Sequence, residues 1–284
     1  MVRHGGAGPL QRTPRRKRFM TLSQKSNYLF GDSNLAARRL GLLANVFEAS
    51  TRAFLLNVAE GKAWRLAVDL GCGPGFTTKL IAETLQCRDV VGLDTSESFI
   101  KVASKAAPRG LSFATHDVTR VPFPCGSADL IFCRFLLTHL VDPDEVVKRW
   151  ATQVNPGGVM MIEETEAIRT TQAVFARYLK TVEAMLASQS NRLYAGSLLR
   201  ALDCPRDLRP LLNLRTVQVR SSDAARIFAQ NLRTWKDSEF VRANYSRQAI
   251  LELEIALRKT AEDKSPAREI SWEMRQAAFH RESS

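Results

Sequence analysis

The stretch Leu66-Ala67-Val68-Asp69-Leu70-Gly71-Cys72-Gly73-Pro74-Gly75-Phe76 decides the fold. Its first half is a short apolar run closing on an acid, the pattern of a strand buried on both faces. Its second half is a glycine turn, after which Phe76, Leu80, Ile81 and Leu85 recur on one helical face. Strand, glycine turn and helix then repeat downstream. Val90-Val91-Gly92-Leu93-Asp94 reads as a second strand, and Ser96 to Ala106 as a helix that Ser96 caps. Leu111 to Ala114 and Leu130 to Cys133 are the third and fourth strands. Asp142-Pro143-Asp144-Glu145 opens a helix with a cap, a proline at its first position and an acid at its third, and Val146, Trp150 and Val154 mark its apolar face. Asn155-Pro156-Gly157-Gly158 stops it before a fifth strand, Val159 to Ile162. Such alternation calls for right-handed crossovers and a parallel sheet with helices on both faces.

Outside this core the rhythm changes. From Ser33 to Ala59, Leu35, Leu42, Leu43, Val46, Phe47, Phe54, Leu55 and Val58 predict one or two helices. After Glu166 the spacing predicts helices over Thr171 to Ser188, Ala224 to Thr234 and Arg247 to Ala261. Strands are predicted at Arg215 to Val219 and around Ile270, Trp272 and Met274.

The chain has 284 residues, 45% hydrophobic and 25% charged, a globular composition that excludes disorder, collagen and coiled coil. No run approaches the ~20 apolar residues of a membrane span. The net charge of +12 raises nucleic acid as a partner, but its distribution narrows that reading. Half of it lies in residues 1–19, where Arg3, Arg12, Arg15, Arg16, Lys17 and Arg18 occur without an acid. Residues 62–165 are close to neutral, and most of the remainder follows Glu166. The leader reads as a disordered, solvated extension; a transit peptide, a nuclear patch and a start at Met20 stay open. Twin-arginine export is rejected for want of an apolar segment after Arg15-Arg16. Five cysteines without a C-x-x-C pair argue against a disulfide framework or zinc site and for free thiols in a reducing, cytoplasmic setting; no metal site is expected.

The chemistry is carried by Asp69 and the turn after it. A dinucleotide fingerprint needs G-x-G-x-x-G, but Gly71, Gly73 and Gly75 spell G-x-G-x-G, and the carboxylate of Asp69 would repel a pyrophosphate while attracting an ammonium. From Leu66 to Glu164 the chain resembles the class I S-adenosylmethionine-dependent methyltransferases, whose first motif is an acid followed by G-x-G-x-G between the first strand and helix. The resemblance implies a Rossmann-like, mostly parallel seven-stranded sheet with helices on both faces, an antiparallel C-terminal strand and helical cap insertions. It also implies the division into a leader (1–19) and one domain (20–284): N-terminal helices (20–61), cofactor-binding core (62–165) and a region of helical insertions with the last two strands (166–284). S-adenosylmethionine is the cofactor so implied. Asp69, Gly71, Cys72, Gly73 and Gly75 would meet its methionine part, Asp94 and Thr95 its ribose, and Asp117 and Val118 its adenine, with Cys133 and Arg134 after the fourth strand. Cys133 follows Phe132 rather than proline, which speaks against a cytosine-modifying nucleophile, and no D/N-P-P-Y/F motif is present.

A sulfonium is an activated methyl donor, so the protein need only hold a nucleophile in line with the S–CH3 bond, about 3 to 3.5 Å away. Where the acceptor arrives protonated a base is also required, and His139 and Glu163 are the candidates, with Glu164 and Glu166 nearby. Substrate contacts are expected outside the resemblance, at Tyr28, Arg169, Tyr178, Arg192 and Tyr194. The favoured expectation is a methyl transfer to a small molecule. An RNA or protein methyltransferase and a non-catalytic cofactor-binding protein stay open, and the sequence is silent on oligomeric state.

Overall fold

The computed structural model describes residues 34–59, 61–105, 107–202, 208–263 and 269–283. Seven strands form one sheet in the order β3-β2-β1-β4-β5-β7-β6. They are β1 (Trp64–Leu70), β2 (Cys87–Asp94), β3 (Leu111–Thr115), β4 (Ala128–Arg134), β5 (Val154–Arg169), β6 (Leu208–Arg220) and β7 (Glu269–Arg281). β1 lies parallel between β2 and β4, β5 extends the parallel set, and β7 runs antiparallel between β5 and β6. This is the mixed seven-stranded sheet that the sequence predicted.

Three core helices follow their predicted signals. α2 (Phe76–Thr84) starts after Gly75, and α3 (Glu97–Lys105) is capped by Ser96, whose Oγ accepts from the Phe99 amide at 3.2 Å. In α4 (Pro143–Ala151) the Asp142 carboxylate accepts from the Glu145 amide at 3.2 Å. The residues from Asn34 to Ala59 form a single long helix, α1. Later come α5 (Ala173–Ser188), α6 (Leu198–Ala201), α7 (Ser221–Trp235), α8 (Glu239–Asn244) and α9 (Arg247–Glu262). The short α6 and α8 carry no periodic signal, and the last three strands are longer than their alternation suggests. β5 runs through Asn155-Pro156-Gly157-Gly158, because the turn residues there sit at a register irregularity beside β4 rather than ending the strand.

Both sheet faces are covered. On one, α1 and α2 pack Phe54, Leu55, Leu80 and Ile81 against Ala67, Leu130, Phe132 and Met161. On the other, Val146, Val147 and Trp150 of α4 meet Leu70, Ile131, Cys133 and Ile162. The far ends of β5 and β7 project into a third core formed by α5, α7 and α9, where Tyr178 stacks on Phe228 at 4.2 Å between ring centroids. Phe47 of α1 joins this core edge-to-face with Trp272 (5.1 Å) and Phe135 (5.2 Å), so one helix spans two hydrophobic clusters. Among the described residues, no helix is long and apolar enough to cross a membrane.

The carboxyl ends of β4 and β5 are tied together by Glu164. It is 2% exposed and accepts the amides of Leu136 (2.7 Å) and Leu137 (2.8 Å) at the turn after β4. Burial raises its pKa to about 8 despite those two donors.

Two outcomes follow. Phe47→Ala should cost about 3–5 kcal/mol of stability, read as a lowered denaturant midpoint, because the cavity opens at a junction of two clusters. For Glu164 the folded chain keeps a proton that the unfolded chain has lost between about pH 8 and the ordinary carboxyl range, so stability rises as pH falls through that window. Between pH 8 and 7 the parent should gain roughly 1 kcal/mol more than Glu164→Gln, in which only the smaller contribution of Asp69, with its pKa of about 7, remains.

Candidate cofactor and acceptor site

β1 delivers Asp69 to the carboxyl edge of the sheet, where it is 1% exposed. Thr78 of α2 donates to its Oδ2 at 2.7 Å, yet burial dominates and the pKa rises to about 7, with Asp94 adding to the rise and Arg134 opposing it. The turn that follows is possible only for glycine at two points. Gly71 (φ +68°) would place a Cβ 3.0 Å from the Leu136 methyls, and Gly75 (φ +86°) would place one 2.8 Å from the Phe113 ring. Gly73 lies under Leu40 of α1, so the N-terminal helix passes over the turn.

Asp94 ends β2 beside this turn. Its Oδ2 accepts from the Gly73 amide and its Oδ1 from the Ser96 amide, both at 2.8 Å. The carboxylate is thereby locked in orientation beside the turn. Thr95 next to it is exposed. Beyond β3, Asp117 accepts from the amide and hydroxyl of Thr119 (3.0 and 2.7 Å) and pairs with Arg120 at 3.2 Å. Val118 is buried, and its carbonyl accepts from the Trp150 indole at 2.7 Å, which pins this segment to α4. The donor set therefore fits S-adenosylmethionine. The buried carboxylate of Asp69 suits an ammonium, the oriented carboxylate of Asp94 suits a diol, and a buried donor, Arg134 Nε, has no partner among the described residues.

Arg134 and Cys133 end β4 on opposite faces. Arg134 donates to Thr51 of α1 (2.8 Å) and Thr77 of α2 (3.3 Å). Phe135, which follows, takes the left-handed conformation at φ +57°, a strained turn for a residue with a Cβ. Cys133 points into the apolar α4 side and burial pushes its thiol well up, which removes it as a nucleophile; Cys72 is likewise buried beside two acids with its thiol pushed up.

The structure redistributes the other predicted residues. Glu163 is fully buried, accepting from Thr51 (2.5 Å) and Gln276 (2.7 Å), so it has no path to an acceptor proton. His139 sits in the 3-10 turn Leu137–His139, where burial and the nearby Arg39 charge bring its pKa down to about 4, making it a weak base. Arg169 is committed to Glu273 in a two-pronged surface pair, and Tyr178 is a core residue with its phenol pKa raised by burial. Arg192 is exposed and its carbonyl accepts from the Thr138 hydroxyl, joining the loop after α5 to the turn after β4. Tyr194 is half-buried near Glu183. Tyr28 lies outside the described residues. Sequence reasoning missed Thr51, Thr77 and Gln276, which gave no motif signal because their roles depend on which strands become neighbours. No group of metal-binding side chains occurs among the described residues.

Residues 68–162 match the family model described as a methyltransferase domain. Among curated relatives, the trans-aconitate 2-methyltransferase of Methylobacterium radiotolerans is 33% identical over 142 residues, 50% of this chain and 54% of that protein. The ubiquinone biosynthesis O-methyltransferase of Coxiella burnetii is 30% identical over 118 residues, 40% of this chain and 47% of that protein. The chain thus spans about half the length of these relatives. In fold it is similar to a putative type II methyltransferase from Anaeromyxobacter dehalogenans (TM-score 0.55, 18% identity, 83% of this chain and 97% of that one). Residues 68–162 thus match a methyltransferase domain, and the glycine turn, the two acids and the strand order around them are similar to those of the class I S-adenosylmethionine-dependent methyltransferases.

Proposed function

We propose that the protein transfers a methyl group from S-adenosylmethionine to a small-molecule acceptor. The observation that carries the reading is the placement of Asp69 and Asp94 on either side of one glycine turn, the second bonded back to that turn through the Gly73 amide. When bound, the cofactor supplies an activated methyl on a sulfonium. Asp69 offers a carboxylate to the ammonium, Asp94 offers oriented acceptors to the ribose, and Asp117 with Val118 borders the adenine end. α1 passes over the turn at Leu40 and helps keep water from the transfer region. Neither His139 nor Glu163 is placed as an effective base, so the reading favours rate enhancement by alignment, with an acceptor that is already nucleophilic or is deprotonated by other means.

The names of the two relatives refer to trans-aconitate and to ubiquinone biosynthesis, which supports a small metabolite as acceptor. The described cysteines Cys72, Cys87, Cys125 and Cys133 are free thiols, consistent with a cytoplasmic setting. A metabolite extract incubated with methyl-labelled S-adenosylmethionine should yield label in a compound of low molecular mass. Label appearing only in RNA or protein fractions would replace the acceptor class.

Holding an ammonium requires Asp69 to be ionised, and its pKa is about 7 before binding. Affinity for S-adenosylhomocysteine, measured by calorimetry, should therefore fall as pH drops below about 7, by up to about tenfold per unit, with proton release on binding. Asp69→Asn should bind more weakly and lose that pH dependence.

A further inference from the structure

The row Asp69, Arg134, Glu163, Gln276 crosses four strands on one face of the sheet. Register sets it: Asp69 is opposite Phe132, two residues before Arg134; Arg134 is opposite Glu163; Glu163 is opposite Gln276. A row of polar groups in the layer between a sheet and its covering helices is costly unless each is hydrogen-bonded, and here the bonding has a direction. Glu163 can only accept, so Thr51 Oγ1, 2.5 Å away, donates to it. The same hydroxyl is then an acceptor for Arg134 Nη1 at 2.8 Å. Gln276 Nε2 donates to the other Glu163 oxygen at 2.7 Å, and its own carbonyl accepts from Asn213 of β6 at 3.2 Å. Arg134 Nη2 is taken by Thr77 at 3.3 Å. Both terminal nitrogens of the guanidinium are thus fixed by hydroxyls rather than carboxylates. Its Nε–H is buried with no partner among the described residues, an omission that is costly unless a ligand completes it.

We propose that Arg134 Nε is reserved for the carboxylate of the cofactor's methionine part, and that Thr51, held by Glu163, which Gln276 fixes in turn, is the residue of α1 that positions it. Arg134 contacts the cofactor; Thr51, Glu163 and Gln276 act through Arg134 and are positioning residues. The arrangement places the carboxylate's partner beside Asp69, the ammonium's partner, so the two charged groups of one amino acid meet adjacent strands. This inference rests on the cofactor reading above.

The test compares two ligands in the full chain by calorimetry: S-adenosylhomocysteine, which carries the amino-acid part, and 5′-methylthioadenosine, which lacks it. The parent should prefer the first. Thr51→Val should reduce that preference by about tenfold or more, the loss of a charge-assisted hydrogen bond, with 5′-methylthioadenosine binding unchanged, and Thr51→Ser should restore it. Arg134→Lys, which has no Nε–H, should show the same selective loss and stands in if Thr51→Val folds poorly in a thermal melt. An unchanged preference in folded Thr51→Val or Arg134→Lys overturns the inference while leaving the cofactor reading intact. Failure of the parent to bind S-adenosylhomocysteine overturns both.

Discussion

A carboxylate at the buried end of a central strand is the constraint around which this molecule is arranged. Asp69 cannot be moved outward, because β1 is flanked by β2 and β4 and its end is where the glycine turn begins. Nor is it left bare, since α2 returns Thr78 to it and β4 sets Arg134 nearby. The turn after it has no room for a side chain at Gly71 or Gly75, where Leu136 and Phe113 press against the backbone. The left-handed glycines, the packing of α2 directly after them and the passage of α1 overhead together hold that carboxylate in a buried, low-dielectric setting.

Much of this was readable in the residues alone. The apolar run into Asp69, the G-x-G-x-G turn, Ser96 as a cap and the Asp142-Pro143 helix start are local signals, and the structure realises each of them with the hydrogen bond or backbone angle its chemistry requires. The strand count was also reached, and the antiparallel β7 followed from the family resemblance. What escaped was set by distance in sequence. Thr51 meets Glu163 across 112 residues and Gln276 meets Glu163 across 113, and no periodicity in one segment encodes a partner in another. The length of β5 escaped for a related reason: Pro156 and Gly157 are turn formers in isolation, whereas the neighbouring strands absorb them at an irregular register.

The acids after the fifth strand show how burial redefines a residue. In sequence, Glu163 and Glu164 are equivalent neighbours at the catalytic edge of a sheet. In the fold they point to opposite faces, one into a hydrogen-bonded row under α1 and the other into the turn after β4. Both are structural anchors of the site, and neither is open to an acceptor. His139 is similar, a titratable side chain held neutral chiefly by burial, with the neighbouring Arg39 guanidinium adding to the effect.

β5 runs without a break from the cofactor core into the helical layer, with β7 alongside it for ten paired positions. The family match stops at residue 162, in the middle of that strand. A fragment cut there would expose Met161 and Ile162 without their β7 partners, Ala278 and Ala277, and would leave Phe47 without Trp272. The segment that matches the methyltransferase model therefore ends inside a strand, and the residues that complete its sheet edge and its apolar packing lie beyond the match.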